Sequence, residues 1–279
     1  MRVRLLVPFL IPSRPAASAP FASVSESTPS PTSKKPATRA AWLQGPAAAC
    51  QFDGPGPRRP WHIVLLGPPG VGKGTQADLI VQSVGACHLS TGDIFRAAIA
   101  AGIEKASPAM QKALVEMQRG ALVPDDLVVD IVRERITCMA CQQGFLLDGF
   151  PRTAAQAEAL EGILEKAGVK LDAAIAFLAN DAEIVSRISG RRVCRSCKAT
   201  FNLEMSPPRL PGVCDKCGGE LFQRDDDKPE VVRNRLVAYH ATANPVLEFY
   251  RAKGLLHEIP VGNTPQETFE KTHKVLLGV

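Results

Sequence analysis

Apolar and polar positions follow no period over the first sixty residues, then fall into short blocks that alternate between two patterns. His62 to Leu66 is an apolar run ending at a glycine, which reads as a buried strand. The glycine-rich segment after it opens a helix carrying Gln76 to Ser83. Ser90-Thr91-Gly92-Asp93 is a helix-start signal ahead of Ile94 to Ala100, and Ser107 to Arg119 reads as a second helix. Pro124-Asp125-Asp126 starts a third, Leu127 to Ile136, with proline and acids in the first turn, where the helix dipole favours them. A strand over Gly144–Asp148 precedes a helix over Thr153–Ala167. A strand over Ala173–Leu178 precedes a helix over Asp181–Ser189. After an insert, Arg191 to Asp227, come a long helix over Glu230–Lys253, a strand over His257–Pro260 and a helix over Pro265–Leu277. Strands alternating with helices predict an α/β fold with a parallel sheet and helices on both faces.

Composition changes the picture mainly at the N-terminus. Residues 1–59 are rich in Ala, Pro and Ser, and ordered structure is not expected there. Their only acids are Glu26 and Asp53. The apolar stretch Leu5 to Ile11 is too short and too broken by Pro8 and Pro12 for a secretory signal. An unstructured extension and an organelle transit peptide both remain open. The ordered domain is expected over 60–279. The net charge of +5 is mild, which argues for anionic ligands and solvated surface rather than nucleic acid. No apolar run approaches the ~20 residues of a membrane span.

Gly67-Pro68-Pro69-Gly70-Val71-Gly72-Lys73-Gly74-Thr75 is one residue away from a Walker A loop. Glycines let the backbone curl so that several N–H groups face one anion, and the following helix adds its positive end. Lys73 brings a compact charge to the outer phosphates. In the usual loop the residue after the lysine is a hydroxyl that sits on Mg²⁺; here it is Gly74, and the hydroxyl comes late, at Thr75. Another group must therefore anchor the metal. Asp148 stands at the end of a predicted strand, where α/β sheets bind ligands, and fits as a water-mediated anchor; a plain turn acid is its alternative. Arg152, four residues on, would clamp a phosphoryl group through its fork of donors, or else form a surface ion pair.

The insert carries Cys194-x2-Cys197 and Cys214-x2-Cys217, separated by sixteen residues, which is zinc-ribbon spacing. Four thiolates would close the coordination shell, so the expected Zn²⁺ is structural. Asp215-Lys216-Cys217-Gly218-Gly219 gives a tight knuckle, whereas Lys198 stands where the other knuckle favours glycine. A nucleic-acid-binding ribbon is the alternative. Cys138-x2-Cys141 has no partner pair and reads as packing or helix-end surface.

Taken together, Gly67 to Gln76, Ser90-Thr91-Gly92-Asp93, Asp148 to Thr153 with Gln156, Gly190-Arg191-Arg192-Val193 and Arg224-Asp225-Asp226-Asp227 resemble the adenylate kinases, in that family's order and spacing from about residue 62 onward. The variety resembled is the bacterial-type long form with a zinc-binding lid. The resemblance implies a P-loop nucleoside monophosphate kinase fold with an AMP-binding arm at about 90–123 and a lid at about 190–227. It implies transfer of the terminal phosphoryl of MgATP to AMP, giving two ADP, by a cytoplasmic monomer without membrane or nucleic-acid partners.

Carried over by position, Gly70, Val71, Gly72, Lys73, Gly74 and Thr75 would hold ATP phosphates. Thr91 and Arg96 would contact AMP, with Ala121, Leu122 and Val123 beside its base and Gly149, Phe150, Pro151, Arg152 and Gln156 completing its site. Arg187 and Arg191 would approach from the ATP side, and Arg224 and Arg235 would bridge to AMP. Thr200 and Phe201 would flank the ATP base or ribose, and Gly262-Asn263 would supply a backbone contact to adenine. Lys73, Asp148 and the arginines 152, 187, 191, 224 and 235 would form the catalytic set. A kinase for another nucleoside monophosphate, and a nucleotide sensor with a nucleic-acid ribbon, are the competing readings.

Overall fold

The computed structural model describes residues 42–43, 59–118, 123–135 and 143–278. Five parallel strands form the central sheet: β1 (Trp61–Leu66), β2 (Cys87–Ser90), β3 (Gly144–Asp148), β4 (Ala173–Leu178) and β8 (Leu256–Pro260). Their spatial order is β2-β3-β1-β4-β8. In β1, β3 and β4 the apolar runs are nearly continuous because both faces of the sheet are covered.

Side chains alternate between those faces, as a strand's period of two requires. Val64, Leu66, Phe145, Leu147, Ala174 and Ala176 enter one core. Ile63, Leu65, Leu146, Ala173, Ile175 and Phe177 enter the other. The first core is closed by helices α2 (Thr91–Ala101), α3 (Pro108–Gln118), α4 (Asp125–Arg133), α5 (Ala154–Lys166) and the latter half of α7 (Pro229–Ala252). The second is closed by α1 (Lys73–Val84), through Ala77 and Ile80, and by α8 (Pro265–Leu277), through Leu276. Helix α6 (Asp181–Ser189) packs Ile184 and Ile188 against Val232 and Leu236 of α7. Each such side chain contributes ~1.5–3 kcal/mol on burial.

Local sequence sets the helix starts. Thr153, Asn180 and Thr264 accept hydrogen bonds from the backbone N–H groups of Gln156, Glu183 and Glu267, three residues on. Pro229 and Pro265 occupy first turns, where no donor is lost.

The structure departs from the sequence expectations in two places. Cys87–Ser90 is an edge strand registered on Phe145 to Asp148. Four residues, one of them the histidine His88, are too few to show a period. More unexpectedly, Trp42 is fully buried in the first core, although ordered structure was not expected before about residue 59. Arg119, Ile136, Cys138 and Cys141 lie outside the described residues.

The insert forms its own antiparallel sheet, β6 (Thr200–Asn202), β5 (Arg191–Cys194) and β7 (Leu221–Phe222), in that order.

Candidate active site

The loop from Gly67 to Thr75 joins β1 to α1 at the carboxyl edge of the sheet, with β1 lying between β3 and β4. That is the crevice position where open parallel sheets bind ligands. Gly67, Gly70 and Gly72 have φ of 129°, 78° and 102°. A Cβ on Gly70 would lie 1.9 Å from the Ile188 side chain, and one on Gly67 would lie 2.7 Å from the Phe177 carbonyl. Gly72 and Gly74, by contrast, would meet nothing within 4 Å. The loop is therefore packed from behind and open in front, at the N-terminus of a helix with no side-chain cap. Lys73 Nζ donates to the Gly67 and Pro68 carbonyls at 2.8 and 2.9 Å. Burial pushes its pKa down to about 8, Asp148 pulls it up, and the positive charges of Arg152, Arg235 and Arg191 push it further down.

Asp148 ends β3, in register with Leu65 and Ser90. Its Oδ1 is buried without a hydrogen-bond partner, and Oδ2 lies 3.6 Å from His88 Nε2. Burial pushes the carboxyl up, but His88, Lys73 and Arg152 outweigh that and hold it below the usual carboxylate range. A buried, ionised carboxylate with an unused oxygen beside a phosphate loop is a fitting anchor for a hydrated cation. The sequence pattern points to Asp148 but carries no signal for His88, which lies on the short edge strand β2.

Thr91 Oγ1 donates to the Asp148 carbonyl at 3.3 Å, and a Cβ on Gly149 would meet that hydroxyl at 2.7 Å. Arg152 donates from Nε to the Gly149 carbonyl and from its backbone N–H to Gln156 Oε1, both at 2.8 Å. The other end of the Gln156 amide donates to Asp125 Oδ1 at 2.7 Å, and Thr153 Oγ1 donates to Asp125 Oδ2 at 2.5 Å. Asp125 thus ties the start of α4 to the Asp148–Thr153 turn. It reads in the sequence only as a first-turn acid. Phe150 and Pro151 are buried, and the peptide joining them is cis. Arg96 pairs with Asp93 on α2 at 2.5 Å. Val123 is partly buried, while Ala121 and Leu122 fall outside the described residues.

The remaining arginines come from the lid and its hinges. Arg191 forms a two-pronged pair with Asp227, whose side chain is fully buried. Arg235 donates to Asp226 Oδ2 at 2.9 Å. Asp226 and Asp227 therefore each orient an arginine, while Asp225 faces water and pairs with Lys228. Arg224 is held below the ordinary guanidinium value by burial and by the charges of Arg191 and Arg96. Arg187 reaches the Gly262 carbonyl at 3.3 Å, and the Asn263 N–H donates to Glu267 Oε2 at 2.9 Å. Thr200 and Phe201 lie on β6, with Phe201 packed on the lid's small core.

All four cysteines of the insert come together, their sulfurs within 4.8 Å of one another. Two of the pairs, Cys194–Cys217 and Cys197–Cys214, stand at 3.5 Å. A tetrahedral Zn²⁺ with ~2.3 Å bonds would hold sulfurs roughly 3.8 Å apart, so the set fits that ion. The Cys197 backbone N–H donates to Cys194 Sγ, and this bond leads the causes that lower the Cys194 thiol to about 6. Lys198 has φ of 63°, a left-handed conformation that costs a lysine energy and glycine almost none. Lys198→Gly is therefore expected to raise the lid's unfolding free energy by about 0.5 kcal/mol, net of glycine's greater freedom when unfolded. A calorimetric scan of the two proteins measures it, and a lower lid transition would refute it.

The adenylate kinase family model matches residues 65–255. The adenylate kinase of Geobacillus sp. (strain WCH70) is 48% identical over 218 residues, covering 78% of this chain and 99% of the relative. That of Carboxydothermus hydrogenoformans is 46% identical over 214 residues, covering 77% and 98%. That of Archaeoglobus fulgidus is 47% identical over 198 residues, covering 71% and 89%. With the phosphate loop, strand-end acid and convergent arginines already in one crevice, these matches show that the chain belongs to the adenylate kinase family.

Proposed function

We propose that this phosphotransferase moves the terminal phosphoryl of MgATP reversibly to AMP, giving two ADP. The observation that supports this most is the convergence of charge on Lys73, which feels Asp148, Arg152, Arg235 and Arg191 together. Four cations brought from four segments, with Arg191 and Arg235 held by Asp227 and Asp226, suit two phosphate-bearing nucleotides rather than one. Phosphoryl transfer needs alignment and charge neutralisation more than covalent help, since the phosphate of AMP is already a nucleophile.

On this reading the backbone of Gly70 to Thr75 and Lys73 cradle the ATP phosphates, with Arg187 and Arg191 closing from the lid side. Thr91, Arg96, Val123, the Gly149–Arg152 turn and Gln156 hold AMP. Arg152, Arg224 and Arg235 span both nucleotides. Thr200, Phe201 and Asn263 face the ATP base. Asp148 would hold the Mg²⁺ that accompanies ATP, and the ion would supply further neutralisation of the phosphates. Lid closure excludes water, which would otherwise take the phosphoryl group. Zn²⁺ on Cys194, Cys197, Cys214 and Cys217 holds the lid's shape. No described helix is long and apolar enough to cross a membrane. We read the enzyme as a monomer acting in the cytoplasm, as the family resemblance implies.

The test is ADP formation from ATP with AMP, GMP, CMP or UMP as acceptor. AMP is expected to be turned over at least about tenfold more efficiently than the others, since a site built to hydrogen-bond one base rejects a mismatched one strongly. Turnover of one of the other three without AMP would sink the assignment.

A further inference from the structure

Trp42 lies outside the region matched by the family model, which begins at residue 65, yet its ring is fully buried in the first core. Two polar contacts fix it there. Its indole Nε1–H donates to the Ser90 carbonyl at 3.0 Å, and its own carbonyl accepts from Arg135 Nε at 2.7 Å. Both partners are buried: Ser90 is 6% exposed and Arg135 is 4% exposed. A buried carbonyl without a donor, or a buried guanidinium without acceptors, would be costly. Trp42 answers one need of each.

The placement of those partners gives the contact its meaning. Ser90 is the last residue of edge strand β2 and stands directly before Thr91 and α2. Arg135 follows α4 and donates from Nη1 to the Ile131 carbonyl at 2.7 Å, so it grips the end of that helix. The first residue of α4, Asp125, holds Thr153 and Gln156, and Gln156 holds the backbone of Arg152. Trp42 thus bridges the root of the arm carrying Thr91 to the helix that pins the Arg152 turn. Its ring packs only in the core on that face. Val71, Ala77 and Ile80, which support the phosphate loop, belong to the opposite core.

The geometry points to Trp42 as a positioning residue for the acceptor nucleotide, setting the spacing between the Thr91 and Arg152 sides of its site. It touches neither nucleotide and acts through Ser90 and Arg135. This rests on the assignment of those two sides to AMP.

The test is a pair of variants in the full chain, Trp42→Phe and Trp42→Ala. KM for AMP is measured at saturating ATP and KM for ATP at saturating AMP, at a temperature where circular dichroism shows both proteins folded. Trp42→Phe keeps most of the ring but removes the donor to Ser90. It is expected to raise KM for AMP roughly fivefold while KM for ATP stays within about twofold, in the range of coupling carried through packed networks. Trp42→Ala is expected to widen the split. If that variant does not fold, Trp42→Phe decides alone. Equal rises in both constants, or a lower melting temperature with neither constant moved, would overturn the inference. Turnover of AMP by the unmodified chain tests the AMP assignment separately. Should another monophosphate be the acceptor, the same split is measured with it.

Discussion

Lys73→Met is expected to lower kcat by about a thousandfold, the upper range for removing one preorganised donor from a transition state, while the melting temperature moves only a few degrees. Methionine matches the length of the lysine stem but cannot neutralise a phosphoryl oxygen. The ammonium also bridges the Gly67 and Pro68 carbonyls, so the loop loses a strut as well as a charge.

The depressed pKa of Lys73, about 8, adds a signature that structural damage alone would not give. Its folded value lies below the unfolded 10.5, so the unfolded chain binds more protons between about 8 and 10.5. Stability from this group therefore rises with pH across that window, and the burial penalty is present in full below it. Binding runs the other way. Below about 8 the free protein already carries the ammonium, whereas above it phosphate binding must recover a proton. ATP affinity is expected to fall by up to about tenfold per pH unit above 8, and Lys73→Met should show a flat profile there. An identical slope in the variant, or a kcat within about tenfold of the parent, would remove Lys73 from the role assigned to it.

Most of the central sheet was legible because β1, β3 and β4 are nearly continuous apolar runs beside helices of clear period. β8, with His257 and Glu258 inside it, carries a weaker pattern. β2 was not legible, because four residues at a sheet edge carry no period and the strand exists through its pairing with β3. The phosphate loop was legible for a different reason, since its chemistry fixes residue type and spacing locally. The acid that pins the second half of the site was not. Asp125 acts through Thr153 and Gln156, 28 and 31 residues away, and nothing in its own neighbourhood signals that reach. Trp42 is the extreme case. It stands in a stretch of small residues and prolines, and its partners lie 48 and 93 residues on. A lone tryptophan in a low-complexity stretch is still a large apolar group that must go somewhere, and that was the available signal.

Removing the metal, or the double substitution Cys197→Ser with Cys214→Ser, is expected to split thermal unfolding into two transitions and lower kcat at least about tenfold. The buried core of the lid consists of Cys194, Cys214 and Leu221, with Ala199 and Phe201 packed against it. Such burial stabilises by a few kcal/mol at most, at ~1.5–3 per side chain. Ordering an insert that runs from Arg191 to Asp227 costs ~1.5 kcal/mol per residue, a far larger sum. Apolar packing alone cannot fold the lid, and two of the three buried residues in that cluster are thiols gathered for a metal. Metal analysis should accordingly find about one Zn²⁺ per chain. When it is stripped by a chelator, the lid should melt first. The main domain should keep its transition within a few degrees, because its two cores contain no residue of the insert. Activity falls with the lid because Arg191 is the first residue of β5 and pairs with Asp227 at the far end of the insert. A lid that unfolds releases that arginine from the neighbourhood of Lys73. Metal-free protein with an unchanged melting profile and full activity would show that packing holds the lid after all.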